Sequence, residues 1–442
     1  MNRRVTLVNC GFREAQKLPS LPLGILYLAS SLLQRGYGVD VRDYQLCRAE
    51  NPTEPEELVS FCKTDASVLG FSCMNGTLPI VLMAAEKIKA ARPETKIVLG
   101  GPAATSLGHK IMRKFKYIDF VLRGEGDIVF PEFLKNLYEN SQPPSVPGII
   151  FRNGEIPVEG PAPRRILNLD VLPFPAHSLL PLKEYRQTIP MVTSRGCPYR
   201  CSFCDGGALR GTRNIVRSVE NCMTELIESA LRTGHRKVGF LDDVFVLDRC
   251  RVFAFCDAFE SLDMCLRWSV MGRADLMDED MFRRMAETGC QAVYFGAESG
   301  SDSVLKRINK GFISAEIEQK VRAATQYFEY VTVSLIWGYP FETLPEFYES
   351  LALATECRFY GASVQFHLLS PMPGSELYEQ HGHGLHFSED AVSDLVCSKH
   401  GIEPFKGFVL EHPDICASFY HYPSPNFEKK LGITSGEVYN NA

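Results

Sequence analysis

Arg195-Gly196-Cys197-Pro198-Tyr199-Arg200-Cys201-Ser202-Phe203-Cys204-Asp205 follows a short apolar stretch at 189–193, and its reading decides the rest of the chain. It sets three of the fifteen cysteines in a C-x3-C-x2-C pattern, on a loop at the carboxyl end of a predicted strand. Thiolates favour zinc and iron–sulfur clusters. A structural zinc site closes with four ligands, commonly from C-x2-C pairs. No second pair lies nearby, so zinc would have to recruit a distant Cys or His. A [4Fe–4S] cluster usually takes four thiolates, and three leave one iron free to bind something else. The spacing and placement point to a catalytic cluster. The other twelve cysteines are scattered and, in a reducing compartment, read as small buried hydrophobes.

Working outward from the loop, strand patterns at 189–193, 237–241, 266–270, 292–297, 331–336 and 362–368 alternate with helical patterns at 219–233, 249–261, 278–287, 315–326 and 344–357. Six βα units on a right-handed path predict an open, partial (β/α)6 TIM barrel with its active site at the carboxyl ends of the strands. Upstream, strands at 5–8, 39–43, 67–72, 96–100 and 118–123 alternate with helices at 23–34, 78–91, 107–114 and 129–137. That pattern predicts an open parallel α/β sheet of flavodoxin/Rossmann-like type, where ligands settle beyond the carboxyl ends of the strands. Several of those ends carry Ser72, Gly76, Gly100, Gly101, Gly124 and Gly126. Glycine there lets backbone approach a ligand or take positive φ, and ordinary turn chemistry is the plainer explanation. Between the two halves, prolines punctuate 141–175 and predict an extended connector. The expected organisation is a first domain at 1–145, a linker at 146–185, a core domain at 186–377 and a C-terminal extension at 378–442. In that extension His381, His383 and His386 are separated by Gly382 and Gly384, which reads as a surface loop rather than a fixed ligand face.

Composition narrows the class of function. Apolar residues at 45% and charged residues at 23% are those of a globular chain rather than a disordered one. With 47 Lys and Arg against 53 Asp and Glu, and no basic run or tail, there is no electrostatic footprint for nucleic acid. No apolar run approaches the ~18 residues that would span a bilayer. The opening Met-Asn-Arg-Arg followed by 5–8 is too short for a signal peptide. The expectation is a soluble, cytoplasmic protein with no nucleic-acid or membrane partner.

At the cysteine loop the sequence resembles the radical S-adenosylmethionine (SAM) superfamily, in which the same loop follows the first barrel strand and the free iron chelates SAM. Further segments extend the likeness: Phe240-Leu241-Asp242-Asp243-Val244-Phe245, Arg273-Ala274-Asp275, Gly296-Ala297-Glu298-Ser299-Gly300-Ser301 with Asn309-Lys310-Gly311, Trp337-Gly338-Tyr339-Pro340-Phe341-Glu342-Thr343, and Leu369-Ser370-Pro371-Met372-Pro373-Gly374-Ser375. The resemblance implies Cys197, Cys201 and Cys204 as cluster ligands and Phe203 beside the adenine of SAM. It implies reductive cleavage of SAM to methionine and a 5′-deoxyadenosyl radical. Glu298 at a strand end suits the ribose hydroxyls or the methionine ammonium, and the planar guanidinium of Arg273 suits the methionine carboxylate. A structural ion pair at the barrel rim is the alternative for both. Asp242 and Asp243 either cap the following turn or bind substrate.

The first half resembles a narrower group, the cobalamin-binding radical SAM proteins. The likeness runs through Leu21-Pro22-Leu23-Gly24-Ile25-Leu26-Tyr27-Leu28-Ala29, Val98-Leu99-Gly100-Gly101-Pro102, Val121-Leu122-Arg123-Gly124-Glu125-Gly126 and Leu172-Pro173-Phe174-Pro175-Ala176. It implies a corrinoid site at strand ends bearing Ser72, Gly100, Gly101 and Gly124. The Asp-x-His-x-x-Gly motif of cobalamin mutases and methionine synthase is absent. Within 1–145 the only histidine is His109, so a protein imidazole below cobalt is not expected. Together these likenesses imply a [4Fe–4S] cluster, SAM and cobalamin as cofactors, a small-molecule or peptide substrate, and an external electron donor such as flavodoxin or ferredoxin. The implied activity is C-methylation of an unactivated carbon. The alternatives are a cobalamin-dependent rearrangement or cyclisation, or a non-catalytic cobalamin or cluster carrier. An RNA methylthiotransferase is disfavoured, because the first domain lacks cysteine spacing for a second cluster.

Overall fold

A computed structural model of the chain describes residues 4–12, 18–139, 146–397 and 401–435. Pro143 and Pro144, and the expected domain boundary after 145, lie outside the described residues. The chain forms two units, Met1–Gln187 with Val396–Cys416, and Thr188–Leu395 with Ala417–Ala442.

The first unit is built on seven strands: β1 (Arg4–Asn9), β2 (Gly38–Asp43), β3 (Val68–Ser72), β4 (Lys96–Gly100), β5 (Phe120–Leu122), β6 (Ile149–Asn153) and β7 (Ile156–Glu159), in the order β2-β1-β3-β4-β5-β6-β7. Pairings among the first five are parallel. Strands β1, β3 and β4 read as near-continuous apolar runs because helices cover both faces of a parallel sheet, and Val5, Leu7, Val8, Val68, Leu69, Phe71 and Ile97 are all buried. The winding direction reverses between β1 and β3. That reversal opens a crevice beyond Asn9 and Ser72, the position at which this topology binds ligands.

Where it is described, from 146 to 175, the proline-punctuated stretch is not the simple extended connector its prolines suggest. Strands β6 and β7 form an antiparallel hairpin that extends the sheet from β5. Register pairs Asn153 with Ile156, leaving Gly154-Glu155 as a two-residue loop with Gly154 at φ 63°. Glycine in that first position is the signature of a tight hairpin turn, and the flanking prolines masked it. The chain beyond is also held down. Ser30 Oγ donates to the Phe174 carbonyl at 2.5 Å, and Tyr185 OH donates to Asp43 Oδ2 at 2.7 Å. A helix at Pro55–Phe61 is a further element that the periodicity did not suggest.

The second unit carries β8 (Thr188–Met191), β9 (Ser194–Arg195), β10 (Ile215–Val216), β11 (Lys237–Phe240), β12 (Arg267–Gly272), β13 (Cys290–Glu298), β14 (Tyr330–Trp337) and β15 (Ser363–Leu368). Six of them form one parallel sheet in the order β15-β14-β13-β12-β11-β8, and β9 pairs antiparallel with β10 apart from it. Sequential order is the connectivity of singly wound βα repeats, and among the described residues the edges β8 and β15 pair with no further strand, so the sheet is open. Four connecting helices begin at side-chain caps, Ser218, Asp248, Asp278 and Thr343, each accepting from a backbone N–H in the first turn. Alternation along the strands turns Val238, Phe240, Trp268, Val270, Val293, Phe295, Val331 and Val333 into the core beneath these helices, where Phe259 stacks on Trp268 at 5.3 Å. The intervening residues line the opposite, inner face.

The stretch 378–442, a single extension in the sequence reading, divides: Val396–Cys416 folds with the first unit and Ala417–Ala442 with the second.

Candidate active site

The cysteine loop follows β8 and is fastened at its entry by acids just past β11, and further along by the 308–309 turn and the helix Glu376–His381. Asp242, just past β11 and 1% exposed, accepts from Thr193 N at 3.0 Å, Thr193 Oγ1 at 2.9 Å and Ser194 Oγ at 2.5 Å. Burial pushes its carboxyl up, and those donors oppose the shift. Asp243 accepts from Gly196 N at 3.1 Å and holds Arg210, with Nε at 2.9 Å and the far nitrogen at 2.6 Å. These two acids therefore hold the loop's entry. Gly196 turns it at φ 96°, and a Cβ there would sit 2.5 Å from the Arg213 carbonyl. Further along, Ser202 N donates to the Ile308 carbonyl, Leu377 N donates to the Ser202 carbonyl, and Asn309 Nδ2 donates to the Arg200 carbonyl.

Within this frame Cys197 and Cys201 are partly exposed and Cys204 is the most open of the three. Partial burial pushes the Cys197 thiol up, against a hydrogen bond from the Tyr199 backbone. Gly206 N points at Cys204 Sγ at 3.3 Å. Backbone donors aimed at sulfur are a means of tuning a bound cluster. Among the described residues no three Cys, His, Asp or Glu side chains are arranged to hold a single metal ion. An iron–sulfur cube spreads its thiolates further apart than one ion does, and three cysteines on a fixed loop, none of them a buried residue, suit it.

Glu298 ends β13 at φ 69°, a left-handed conformation rare outside glycine, beside a register shift against β14. Such strain costs roughly 1–3 kcal/mol and persists where surrounding structure imposes it. Here the carboxylate folds back over Gly296, where a Cβ would meet Glu298 Oε1 at 2.4 Å, and pairs through Oε1 with the buried Lys310 at 2.8 Å. Among the described residues Lys310 Nζ hydrogen-bonds Oε1 and leaves Glu298 Oε2 to other partners, and it lies 5.6 Å over the Phe312 ring.

Arg273 is more fully committed than Glu298. It is 5% exposed, donates to both Asp275 oxygens at 3.1 Å and to the Lys310 carbonyl at 2.6 Å, and lies 3.7 Å above the Tyr199 ring. These contacts tie β12's exit, the 309–311 turn and the cysteine loop together. Phe203 meets Tyr339 edge-on at 6.2 Å. Tyr339 is fully buried, and its hydroxyl finds no partner among the described residues.

The turn that carries Tyr339 is clamped by a pair that sequence reading missed. Glu342 and Lys430 are both fully buried, 3.1 Å apart. Lys430 also donates to the Glu342 carbonyl at 2.6 Å, and Glu342 Oε2 accepts from Gly338 N at 3.0 Å. Phe427, on the same helix as Lys430 (Phe427–Ser435), packs on Trp337 at 5.5 Å.

In the first unit, Gly101 precedes the helix Pro102–Lys114 at φ 91°, and a Cβ there would come within 2.9 Å of the Cys73 N and O. Ser72 Oγ stands 3.3 Å from that same point. Gly100 is different: a Cβ would meet nothing closer than the Phe71 carbonyl at 3.9 Å, so the backbone there borders open space. Gly24, near β1's exit, borders nothing within 4 Å. Ser72, Gly100 and Gly101 thus give a small-residue edge beside the crevice, which fits close approach of a large planar group. Gly124 serves another purpose, since its φ of 76° and missing Cβ make room for Pro163 at 3.0 Å. His109 pairs with Glu159 of β7 at 2.7 Å, on the side of the sheet away from β1 and β3. The unit also includes His177 and His412, which a boundary at 145 leaves out. His177 is buried, and His412 packs on Phe115 and Phe408.

Residues 17–134 match the B12 binding domain and residues 191–354 match the radical SAM superfamily. An uncharacterised methyltransferase of Pyrococcus horikoshii is 30% identical over 363 residues, covering 81% of this chain and 78% of its own. The chain belongs to the cobalamin-binding radical SAM family. It is an enzyme of that family, whose cofactors are a [4Fe–4S] cluster, SAM and cobalamin. An anaerobic magnesium-protoporphyrin IX monomethyl ester cyclase of Synechocystis is 27% identical, covering 71% of this chain and 63% of its own. Among solved structures, the radical SAM methyltransferase TsrM of Kitasatospora setae shares the fold with a TM-score of 0.72 at 18% identity, over 96% of this chain and 84% of its own. The cobalamin-dependent SAM radical enzyme OxsB gives 0.70 at 17%, over 98% and 65%. Among the described residues no helix is long and apolar enough to cross a membrane.

Proposed function

We propose that this enzyme transfers a methyl group from SAM, by way of cobalamin, to an unactivated carbon of a small molecule or peptide. The observation that carries the reading is the fixed three-cysteine loop next to the strained Glu298, in a chain whose first unit offers a small-residue crevice. When bound, the cluster and SAM supply a radical that removes hydrogen from the substrate, and the corrinoid supplies the methyl group.

The protein's part is to bind, orient and shield. Cys197, Cys201 and Cys204 hold the cluster, and Gly206 N stabilises charge on Cys204 Sγ. Phe203, steadied by Tyr339, would pack against the adenine. Glu298 keeps its second oxygen for the SAM ribose or ammonium while Lys310 neutralises the first. Arg273 acts as a positioning residue for the loop and turn around it, and its guanidinium would pair with the methionine carboxylate. Ser72, Gly100 and Gly101 border the corrinoid, with Gly124 setting the adjacent turn. The second unit works as a partial TIM barrel. The reaction belongs to a reducing cytoplasm, with flavodoxin or ferredoxin as electron donor.

Methyltransferase names among the relatives support this reading, and the cyclase relatives keep rearrangement as the second one. With methyl-deuterated SAM and the substrate, product should carry the labelled methyl. S-adenosylhomocysteine and 5′-deoxyadenosine should form in about equal amounts. Unlabelled product formed without S-adenosylhomocysteine would overturn methyl transfer and favour rearrangement.

A further inference from the structure

The inner face of the six-stranded sheet changes character from one side to the other. Just past β11 and on β12 it presents Leu241 and Met271, 49% and 43% exposed although large and apolar. Neither belongs to the helix-side core, which takes the alternate residues Phe240 and Val270. On β13 and β15 the same face is polar and connected. Tyr294 OH donates to Gln365 Oε1 at 3.0 Å, and His367 Nε2 meets that oxygen at 3.3 Å. His367 Nδ1 lies 3.1 Å from both oxygens of Asp394. Tyr294 also feels the charge of Glu298, four residues along its strand, and of Asp394. The chain of polar groups therefore begins beside the proposed SAM site and runs to the open edge at β15.

Gln365 and Asp394 are the exposed members, and Gln365 is the one that carries N–H donors. Its oxygen is occupied by Tyr294 and His367, which orients the amide, and its Nε2 makes no hydrogen bond among the described residues. The face therefore offers one oriented N–H donor set on β15 and, beyond Tyr294, which is in register with Met271, two accessible apolar side chains. Water meets the donor at no cost but gains nothing from Leu241 and Met271. A molecule with an apolar carbon skeleton and an oxygen acceptor satisfies both ends at once.

We propose that this face binds the methyl acceptor in a single orientation, its carbon skeleton against Leu241 and Met271 and a carboxylate or carbonyl oxygen on Gln365 Nε2. The inference rests on the methyltransferase reading and names the substrate class for that site: an amphipathic small molecule with an oxygen acceptor a few carbons from the methylated position. Tyr294, His367 and Asp394 are positioning residues that hold the Gln365 amide.

Octanoate, which has both parts, is the probe, read by saturation-transfer NMR on the anaerobically reconstituted full chain with SAM present. Saturation should reach its methylene protons. Gln365→Glu keeps the shape but replaces the donor with an anion, and should weaken octanoate by about tenfold or more while admitting octylamine. Met271→Gln should weaken both probes, and Asp394→Asn should weaken octanoate less than Gln365→Glu does. Octanoate that fails to bind the wild type, or binds Gln365→Glu equally well, overturns the proposal. Cluster absorbance and SAM binding in the same wild-type sample separate the outcomes. A sample lacking either contradicts the methyltransferase reading itself, whereas one with both that ignores octanoate contradicts only this inference.

Discussion

The carboxyl edges of the two sheets are built from opposite materials. In the first unit the edge is backbone and small residues, Ser72, Gly100 and Gly101, with no charged side chain among them. In the second unit it is a lattice of buried and half-buried charge: Asp242 and Asp243 on the loop entry, Arg273 on Asp275 and Tyr199, Glu298 on Lys310, Glu342 on Lys430. A large, flat ligand with few charges is held by shape and close approach, so bulk is excluded. A small zwitterion and an anionic cluster are held by charge and hydrogen-bond geometry, and a low-dielectric rim makes each contact count. The same strand-end location thus serves two binding strategies. Damage should look different in each: loss of charge disables the second edge, and added bulk disables the first.

The largest effect belongs to the second edge. Replacing Cys197, Cys201 and Cys204 together with Ala should abolish cluster absorbance and SAM cleavage, whereas Cys250→Ala should leave both. A full four-iron complement in the triple variant, measured by iron and sulfide analysis, would contradict the assignment of these thiols.

Next comes the buried clamp. Lys430→Met leaves Glu342 charged and unpaired in the interior, a change that costs roughly 3–5 kcal/mol. It should lower the thermal midpoint and weaken SAM binding, read as the change SAM makes in the reduced cluster's electron paramagnetic resonance. Removing both charges, with Lys430→Met and Glu342→Gln, should recover most of the stability. If the double variant is as unstable as the single one, the lysine acts through packing rather than through its charge.

At the first edge, Gly101→Ala and Gly100→Ala form a matched pair. The first forces a Cβ against Cys73 at a φ of 91° and should cost stability, roughly 1–3 kcal/mol by chemical denaturation, along with corrinoid affinity. The second has room for its methyl, so stability should hold while corrinoid affinity falls, measured by equilibrium titration with hydroxocobalamin. Equal corrinoid affinity in wild type and Gly100→Ala would mean that the ligand does not approach that backbone.

The smallest effect is a pH dependence. Burial and the neighbouring His386 hold the His421 imidazole down at about 4, so the folded chain keeps it neutral. The unfolded ring titrates near ~6.5. Stability is therefore complete above that value and is lost as pH falls toward 4, on the order of 2 kcal/mol by about pH 5. Because His421 stacks on Phe427 at 4.0 Å, the loss should appear as faster amide exchange in the helix Phe427–Ser435. It should vanish in His421→Phe.

What the sequence made legible follows from the range of each interaction. The cysteine loop, the strand-end segments and the alternation of strands and helices are local patterns, and the open α/β sheet of the first unit and the βα repeats of the second follow from them. The β6–β7 hairpin escaped because its one turn signal, Asn153-Gly154, sits among prolines that argue for extended chain. The Lys430–Glu342 pair escaped because its partners are 88 positions apart and a lone lysine in a tail carries no local signal. Arg273 and Glu298 were both legible as strand-end charges. Which of them stays available to a ligand depends on Asp275, Tyr199 and Lys310, contacts that only folding supplies. The inner-face relay needed the register of β13 against β14 and β15 before Tyr294 and Gln365 could be placed together.

The central claim, that this chain moves a methyl group from SAM through cobalamin, is tested most directly by the fate of SAM. The anaerobically reconstituted enzyme would be given SAM and a low-potential reductant, once with cobalamin bound and once after its removal. The account predicts S-adenosylhomocysteine only in the cobalamin-loaded sample, with cluster content equal in both. 5′-Deoxyadenosine as the sole SAM product, with cobalamin or without it, would contradict the account.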